Sequence, residues 1–212
     1  TRQGVDCTIF EKESALGGIV RHVIPEFRIS SDAIDNDEKL LKALGAKIVL
    51  NHTVSDANAL FEAGFTHVVF AVGAQKHGAL RLEKGESMNV IDFLGMSKAN
   101  TLPALGENVA VVGGGNTAMD AARAAKRADG VKNVRIIYRR DAANMPADEE
   151  ELQLCQSSGV EFCELLSPVA LENGLVTCSV MRLGEPDASG RRSPVDTGEH
   201  KKLPCDTLIA AV

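Results

Sequence analysis

The stretch VAVVGGGNTAMDAARAA, residues Val109–Ala125, decides the fold of this chain. Four apolar residues open it, which is typical of a strand covered on both faces. The alanine-rich end favours a helix, and three glycines separate the two elements. A second apolar run, VRIIYRRD (Val134–Asp141), follows about 20 residues later. This order of strand, glycine turn, helix and second strand predicts a parallel unit of the kind that binds dinucleotides.

The small residues of this turn have distinct expected roles. Gly113 permits the tight turn, Gly115 lets backbone approach a pyrophosphate, and Gly114 lies between them. Ala118 stands at the third small position, where helix and strand pack closely. The start of the helix would direct free N–H groups and a partial positive charge at the phosphates. A turn with a purely structural role is the alternative interpretation.

The second strand ends on basic residues instead of the usual acid. An acid at this place accepts hydrogen bonds from a free ribose 2′-hydroxyl, whereas arginine suits a 2′-phosphate. Here Tyr138 stands near the usual place of the acid, and Arg139 and Arg140 follow it. The pattern therefore favours NADPH over NADH. The alternative is a solvated strand end whose arginines pair with Asp141 or Glu149.

Composition and charge exclude several classes of protein. The net charge of −6 and a pI near 5.4 argue against nucleic-acid binding, which needs a basic face. The sequence contains no apolar run of membrane-spanning length. The histidines show no ligand spacing, so no metal site is predicted. The cysteines are scattered without a CxxC pair, and we expect buried thiols in a reducing cytoplasm. They are Cys7, Cys155, Cys163, Cys178 and Cys205.

The remaining sequence alternates between helical and strand patterns, which indicates an α/β fold with a parallel sheet. We expect helices at 31–44 and 56–63, and strands at 5–11, 46–51 and 67–72, the last of them buried. A β-rich region is expected at 160–180. The polar segment 185–202, with Arg191 and Arg192, is predicted to be a solvated hairpin tip.

The first half contains parts of a second nucleotide site. CTIFE ends on Glu11, an acid at a strand tip that would hold the adenosine ribose of FAD. Gly17 and Gly18 follow, and they could bring backbone near a phosphate. Gly73 stands at the end of the predicted strand at 67–72, where a second crossover could touch the cofactor. Glu11 as a plain solvated acid is the alternative.

Three segments together resemble a known family. They are GGIVRHVIPEFRIS (Gly17–Ser30), GGGNTAMD (Gly113–Asp120) and YRRDAANMPADEEE (Tyr138–Glu151). The chain is similar to the small subunit of bacterial glutamate synthase and to the NADPH-oxidising half of dihydropyrimidine dehydrogenase. It also resembles the iron–sulfur flavoprotein subunit of selenate reductase. The resemblance implies a glutathione-reductase-like pair of Rossmann-type dinucleotide-binding domains.

The resemblance also implies an activity and a set of cofactor contacts. Hydride would pass from NADPH to FAD, and electrons would continue to iron–sulfur clusters outside this piece. No catalytic side chain is expected, since hydride transfer is the chemistry of the cofactors. Glu11, Gly17, Gly18 and Gly73 would touch FAD. The NADPH contacts would be Gly113, Gly114, Gly115, Asn116, Thr117, Ala118, Arg139 and Arg140.

The resemblance predicts a division into two domains and an incomplete first one. Residues 1–103 would be part of an FAD-binding domain whose first strand and glycine turn precede Thr1, and 104–212 an NAD(P)H-binding domain. We therefore expect an internal fragment that is inactive alone, forms a homodimer and needs an electron-acceptor domain or subunit. Two rivals are a thioredoxin-reductase relative, disfavoured without CxxC, and a nucleotide-binding module without turnover.

Overall fold

In the computed structural model the chain forms two compact units, Thr1–Lys76 and His77–Val212. The structure describes residues 1, 3–74, 78–186, 190 and 192–212. We refer to the two parts as the first and the second unit. Both contain parallel strands with helices between them in sequence. The predicted α/β class is therefore confirmed.

The first unit has a short parallel sheet and three helices. Strand β1 (Thr8–Phe10) pairs with β2 (Lys47–Val49). The helices are α1 (Gly18–His22), α2 (Ser31–Ala43) and α3 (Ala57–Glu62). The described strands β1 and β2 and the helices α2 and α3 lie inside the segments that the sequence predicted, although the elements are shorter.

The segment at 67–72 contradicts the prediction of a buried strand. The structure assigns no strand to it, and Val69 and Phe70 are 88% and 73% exposed. An apolar run is buried only where a neighbouring surface covers it, and the residue pattern cannot supply that surface. Among the described residues of the first unit, β1 and β2 form the sheet, and this segment does not join it.

A five-stranded parallel sheet forms the centre of the second unit. Its strands are β3 (Met88–Asn89), β4 (Asn108–Val112), β5 (Asn133–Tyr138), β6 (Val160–Glu164) and β10 (Thr207–Ala210). They lie in the order β3–β10–β4–β5–β6. The apolar residues of β4 are at most 6% exposed, as a strand covered on both faces requires.

The described residues of the second unit form three α-helices, α4 (Val90–Lys98), α5 (Asn116–Ala125) and α6 (Glu149–Ser157). Helix α5 contacts β4, β5 and both other helices. Ala118 and Ala121 of α5 are fully buried, because small side chains let a helix approach its neighbours closely. The predicted strand–turn–helix–strand unit is confirmed.

An antiparallel sheet follows in the same unit. Its strands are β7 (Leu166–Glu172), β8 (Leu175–Pro186) and β9 (Arg192–Pro204), in the order β7–β8–β9. The predicted β-rich region is confirmed. The predicted hairpin is formed by β8 and β9, and β9 is mostly exposed as predicted, but most of 185–202 belongs to β9 and not to the tip. This strand is stabilised by its pairing with β8, not by burial, so its polarity was misleading. Arg191 lies outside the described residues.

The two sheets of the second unit share a core that contains three cysteines. Cys163, Cys178 and Cys205 are buried there together with apolar residues of β4, β5 and β8. Cys155 is also buried, so the prediction of buried thiols is confirmed for four cysteines. It is wrong for Cys7, which is exposed because it precedes the first residue of β1.

The second unit begins earlier than the boundary predicted between 103 and 104. Strand β3 is its edge strand, and Met88 pairs with Ile209 of β10. Helix α4 contacts α5 and β10. These contacts join residues 77–103 to the sheet that carries the glycine turn. The division into an FAD domain and an NAD(P)H domain stays a prediction about cofactors.

Candidate functional site

Gly113 and Gly114 are glycines because the protein itself fills the space beside them. Gly113 donates its N–H to the carbonyl of Ile137 at 3.1 Å and has φ +150°. A Cβ on Gly113 would lie 2.3 Å from the carbonyl oxygen of Ala211. A Cβ on Gly114 would lie 2.5 Å from Cε2 of Tyr138. Neither position has room for a side chain.

Gly115 differs from both, because a Cβ there would have no atom within 4 Å. Its φ of −97° and ψ of 170° are extended values that any residue adopts. Gly115 is also the N-cap of α5, and it has no side chain to cap the helix. An uncapped helix start facing open space is a place where an anion can accept hydrogen bonds. The first two helical residues, Asn116 and Thr117, are exposed there.

A loop from 141 to 148 lies against this turn. The hydroxyl of Tyr138 donates to the carbonyl of Asn144 at 2.9 Å, and the N–H of Ala147 donates to the carbonyl of Gly114 at 3.0 Å. The loop contains a 3-10 helix, Ala142–Asn144, capped by the Asp141 side chain. Sequence reasoning missed these contacts. The signal was the YRRD and MPA pattern, which identified a family but not the role of the loop.

The two predicted phosphate ligands differ in their surroundings. Arg139 is exposed at the carboxyl end of β5, next to the glycine turn. Arg140 is 6% exposed, and its Nε donates to the carbonyl of Arg192 at 3.0 Å. Asp141 and Glu149, the partners in the alternative interpretation, accept hydrogen bonds from other side chains. Arg139 is therefore the better placed of the two to meet a ligand.

Glu11, Gly17 and Gly18 lie at the ends of elements of the first unit, whereas Gly73 does not, because the structure assigns no strand to 67–72. Glu11 directly follows β1, and its carboxylate accepts the N–H of Glu13 at 2.9 Å. Gly17 has φ +114°, and a Cβ there would lie 2.9 Å from Cβ of Arg21. Gly18 has φ +46° and open space around its missing side chain. These features explain both glycines structurally and leave Gly18 accessible. Gly73 has φ +68°.

The buried thiols do not form a reactive centre. Burial raises the pKa of Cys163 and Cys205 to about 11 and that of Cys178 to about 12. A thiol must lose its proton to act as a nucleophile or a metal ligand. In the described part of the chain, no group of three or more His, Cys, Asp or Glu residues could hold a metal ion.

The second unit also contains a cavity away from the glycine turn. This cavity of about 580 Å³ lies beside β3 and is lined in part by Arg81, Glu86, Ser87 and Asn89. It does not include the glycine turn, where an elongated ligand would lie on an open surface. No helix in the described ranges is both long and apolar enough to span a membrane.

Comparisons with known proteins show which family this sequence matches. The family model for pyridine nucleotide-disulphide oxidoreductases matches residues 18–212. YgfK of Escherichia coli strain K12, which bears the name of an oxidoreductase, is 41% identical over 216 residues. That alignment covers 100% of this chain and 21% of YgfK. The chain thus spans about a fifth of the length of this relative.

The small chain of glutamate synthase [NADPH] from the same organism is 30% identical over 234 residues. It is matched along 49% of its length by 100% of this chain. The predicted resemblance to the glutamate synthase small subunit is confirmed. FprA from Mycobacterium tuberculosis, solved in complex with NADPH, superposes with a TM-score of 0.80 at 21% identity. The superposition covers 98% of this chain and 63% of FprA, which shows a shared fold.

Proposed function

The chain belongs to the pyridine nucleotide-disulphide oxidoreductase family, and on that premise we propose that it binds NADPH at the turn Gly113–Gly115. In the whole protein the nicotinamide would deliver hydride to FAD. The names of two similar proteins support this choice of donor. The glutamate synthase small chain carries NADPH in its name, and FprA was solved with NADPH.

One observation carries the proposal more than any other. Of the three glycines in the turn, two are packed against the protein, and only Gly115 faces open space. Its φ of −97° does not require glycine, and its environment would accept a side chain. A glycine is useful at such a position when a ligand approaches the backbone closely. The uncapped start of α5 beside it supplies the N–H groups that a pyrophosphate needs.

The 2′-phosphate of NADPH would bind to the arginines after β5. Arg139 is exposed, so its guanidinium is available to make forked, charge-assisted hydrogen bonds. Arg140 is also included in the proposed contact set, although one of its N–H groups is already bound to Arg192. The positive charge of the buried Arg140 guanidinium would still attract the 2′-phosphate. Asn116, Thr117 and Ala118 would line the pyrophosphate end.

The first unit would contribute to the FAD site of the whole protein. Glu11 would accept hydrogen bonds from the adenosine ribose, and Gly17, Gly18 and Gly73 would lie along the cofactor. The support is the place of Glu11, Gly17 and Gly18 at element ends and the open space at Gly18. We propose the domain division at 1–103 and 104–212 for the cofactors, with the structural unit beginning near 77.

The chain's own residues would bind and orient, not transfer protons. FAD, when bound, supplies the group that accepts hydride. The glycine turn would hold the central pyrophosphate of the dinucleotide and Arg139 the 2′-phosphate of its adenosine, so that the nicotinamide reaches a defined position. Electrons would then pass to iron–sulfur clusters in an acceptor domain or subunit. The buried thiols fit a reducing cytoplasm.

Anaerobic addition of NADPH to the flavin-containing whole protein tests this function. We expect the visible flavin absorbance to bleach with one equivalent of NADPH, and more slowly with NADH. A nucleotide-binding module without turnover would bind NADPH and leave the flavin oxidised. That result would reject the oxidoreductase function while leaving the nucleotide site in place.

A further inference from the structure

Asp148 and Asn116 hold each other beside the glycine turn. The side-chain amide of Asn116 donates to Oδ2 of Asp148 at 3.0 Å. In return, the backbone N–H of Asp148 donates to Oδ1 of Asn116 at 3.2 Å. Asn116 is the first residue of α5, and Asp148 is the N-cap of α6. The pair thus joins the starts of two helices.

The carboxylate of Asp148 does not cap α6, although Asp148 is the N-cap residue of that helix. Aspartate at an N-cap normally accepts an N–H of its own helix. Here the side chain makes no such bond with α6. It reaches to the start of α5 instead. The dipole of α6 favours a carboxylate at residue 148, but the side-chain hydrogen bond of Asp148 is made with Asn116 and not with α6.

The neighbouring residue shows that this part of the loop belongs to the proposed site. The N–H of Ala147 donates to the carbonyl of Gly114 at 3.0 Å. Two consecutive residues of the loop are thus bound to the turn and to the helix that follows it. The Asn116 amide, whose oxygen and nitrogen are both engaged, is held in one orientation.

The hydrogen bond of Asp148 orders the site, but its negative charge opposes the binding of an anionic ligand. The start of α5 carries a partial positive charge, and a pyrophosphate there would be stabilised by it. A carboxylate bound at the first residue of the same helix partly neutralises this positive charge. It also repels the phosphates. The structure thus combines a contact that orders the site with a charge that weakens binding.

We propose that Asp148 is a positioning residue that orders Asn116 for dinucleotide binding and whose negative charge lowers the affinity for the dinucleotide. Because NADPH and NADP⁺ carry the same phosphates, the lower affinity shortens the time that either dinucleotide stays bound. The inference rests on the proposed function and adds a determinant of affinity to it.

Two substitutions separate the contact from the charge. Asp148→Asn keeps an oxygen to accept the Asn116 amide and removes the charge. We expect its Kd for NADP⁺, measured by calorimetry at low salt, to fall about two- to fivefold. Asp148→Ala removes the charge and the acceptor together. Its Kd should exceed that of Asp148→Asn by about two- to tenfold, the effect of one lost hydrogen bond.

Salt and a matched variant provide the controls. The advantage of Asp148→Asn should vanish near 1 M salt, where the screening length is about 3 Å. Glu150→Gln removes the same charge from the exposed first turn of α6 and should change the Kd less than about twofold.

The outcomes are distinguishable. If wild-type protein fails to bind NADP⁺, the proposed function falls and this inference with it. If wild-type protein binds and Asp148→Asn binds no more tightly, the role of the charge is overturned. If Asp148→Ala binds as tightly as Asp148→Asn, the positioning role is overturned.

Discussion

The ring of Tyr138 fills the space beside Gly114, so that a Cβ on Gly114 would stand 2.5 Å from Cε2 of the ring. The ring is 7% exposed, and its hydroxyl is bound to the carbonyl of Asn144. Tyr138 stands near the place where NADH-binding relatives of this fold carry a ribose-binding acid. In this chain the residue supports the turn and anchors the loop beyond it.

Gly114→Ala should destabilise the folded protein by about 1–3 kcal/mol, because the buried ring cannot move away from the new methyl group. Chemical denaturation measures this loss. Tyr138→Leu in the same chain should recover part of it, since the smaller side chain leaves room.

Gly115→Ala is the matched control for this prediction. Its Cβ meets no atom within 4 Å and its φ is negative, so the loss of stability should not exceed about 1 kcal/mol, the cost of alanine in place of glycine at a helix N-cap. Equal losses for Gly114→Ala and Gly115→Ala would contradict the packing described for the turn.

Arg139→Ala should weaken NADPH binding about ten- to a hundredfold, because a charge-assisted contact with the 2′-phosphate is lost. NADH lacks that phosphate, and its binding should stay nearly unchanged. Titration of the variant with both nucleotides measures the difference. Arg140→Ala should weaken NADPH binding as well, and it should also lower stability, because its buried bond to Arg192 is lost.

Lys132→Ala is a suitable control for the loss of one positive charge. Lys132 precedes β5 at the end opposite Arg139 and pairs with Glu107 at 2.6 Å. The Lys132→Ala variant should bind NADPH and NADH with the affinities of the wild type. Equal losses of NADPH and NADH binding in Arg139→Ala would assign this arginine a structural role instead.

Only one of the five cysteines should react quickly with a thiol reagent at about pH 8. Cys7 is exposed, whereas the other four are buried. The pKa of Cys178 is raised to about 12 by burial, so its thiol keeps its proton until the solution is far more alkaline. Alkylation followed by mass spectrometry should find the label on Cys7 in native protein and on all five cysteines after unfolding.

Cys7→Ser provides the control, since it should abolish fast labelling without a change in fold. Fast modification of Cys163, Cys178 or Cys205 in the native protein would show that the core between the two sheets opens more readily than the structure indicates.

The glycine turn shows how much a local pattern can predict. Strand β4, the turn and α5 follow one another within 20 residues, and their apolar period and small residues predict both the local fold and the place of a nucleotide site. The family resemblance depended on similarly local segments. The predictions of the fold and of the family were confirmed because each element carries its own signal, whereas the site stays a prediction.

The rest depended on contacts between distant residues. The bond from Arg140 to Arg192 and the pair formed by Asn116 and Asp148 join residues 52 and 32 positions apart. No local pattern encodes such contacts. The prediction of a buried strand at 67–72 was wrong for a related reason. The apolar residues of this segment predicted burial without revealing what would cover them. For β9 the error was the opposite one. Its polar sequence predicted no strand, but pairing with β8 stabilises it as a strand.

The central claim is that the turn at Gly115 receives the pyrophosphate of NADPH. Calorimetric titration of NADPH into wild-type protein and Gly115→Val tests it most directly. The wild type should bind one equivalent. The branched side chain of Gly115→Val should occupy the ligand's space and weaken binding at least about a hundredfold, a loss of ~2.7 kcal/mol. Its unfolding temperature should fall by no more than about a few degrees, since the position is open in the folded protein and the change is confined to the N-cap of α5. A folded Gly115→Val protein that binds NADPH with wild-type affinity would contradict the claim.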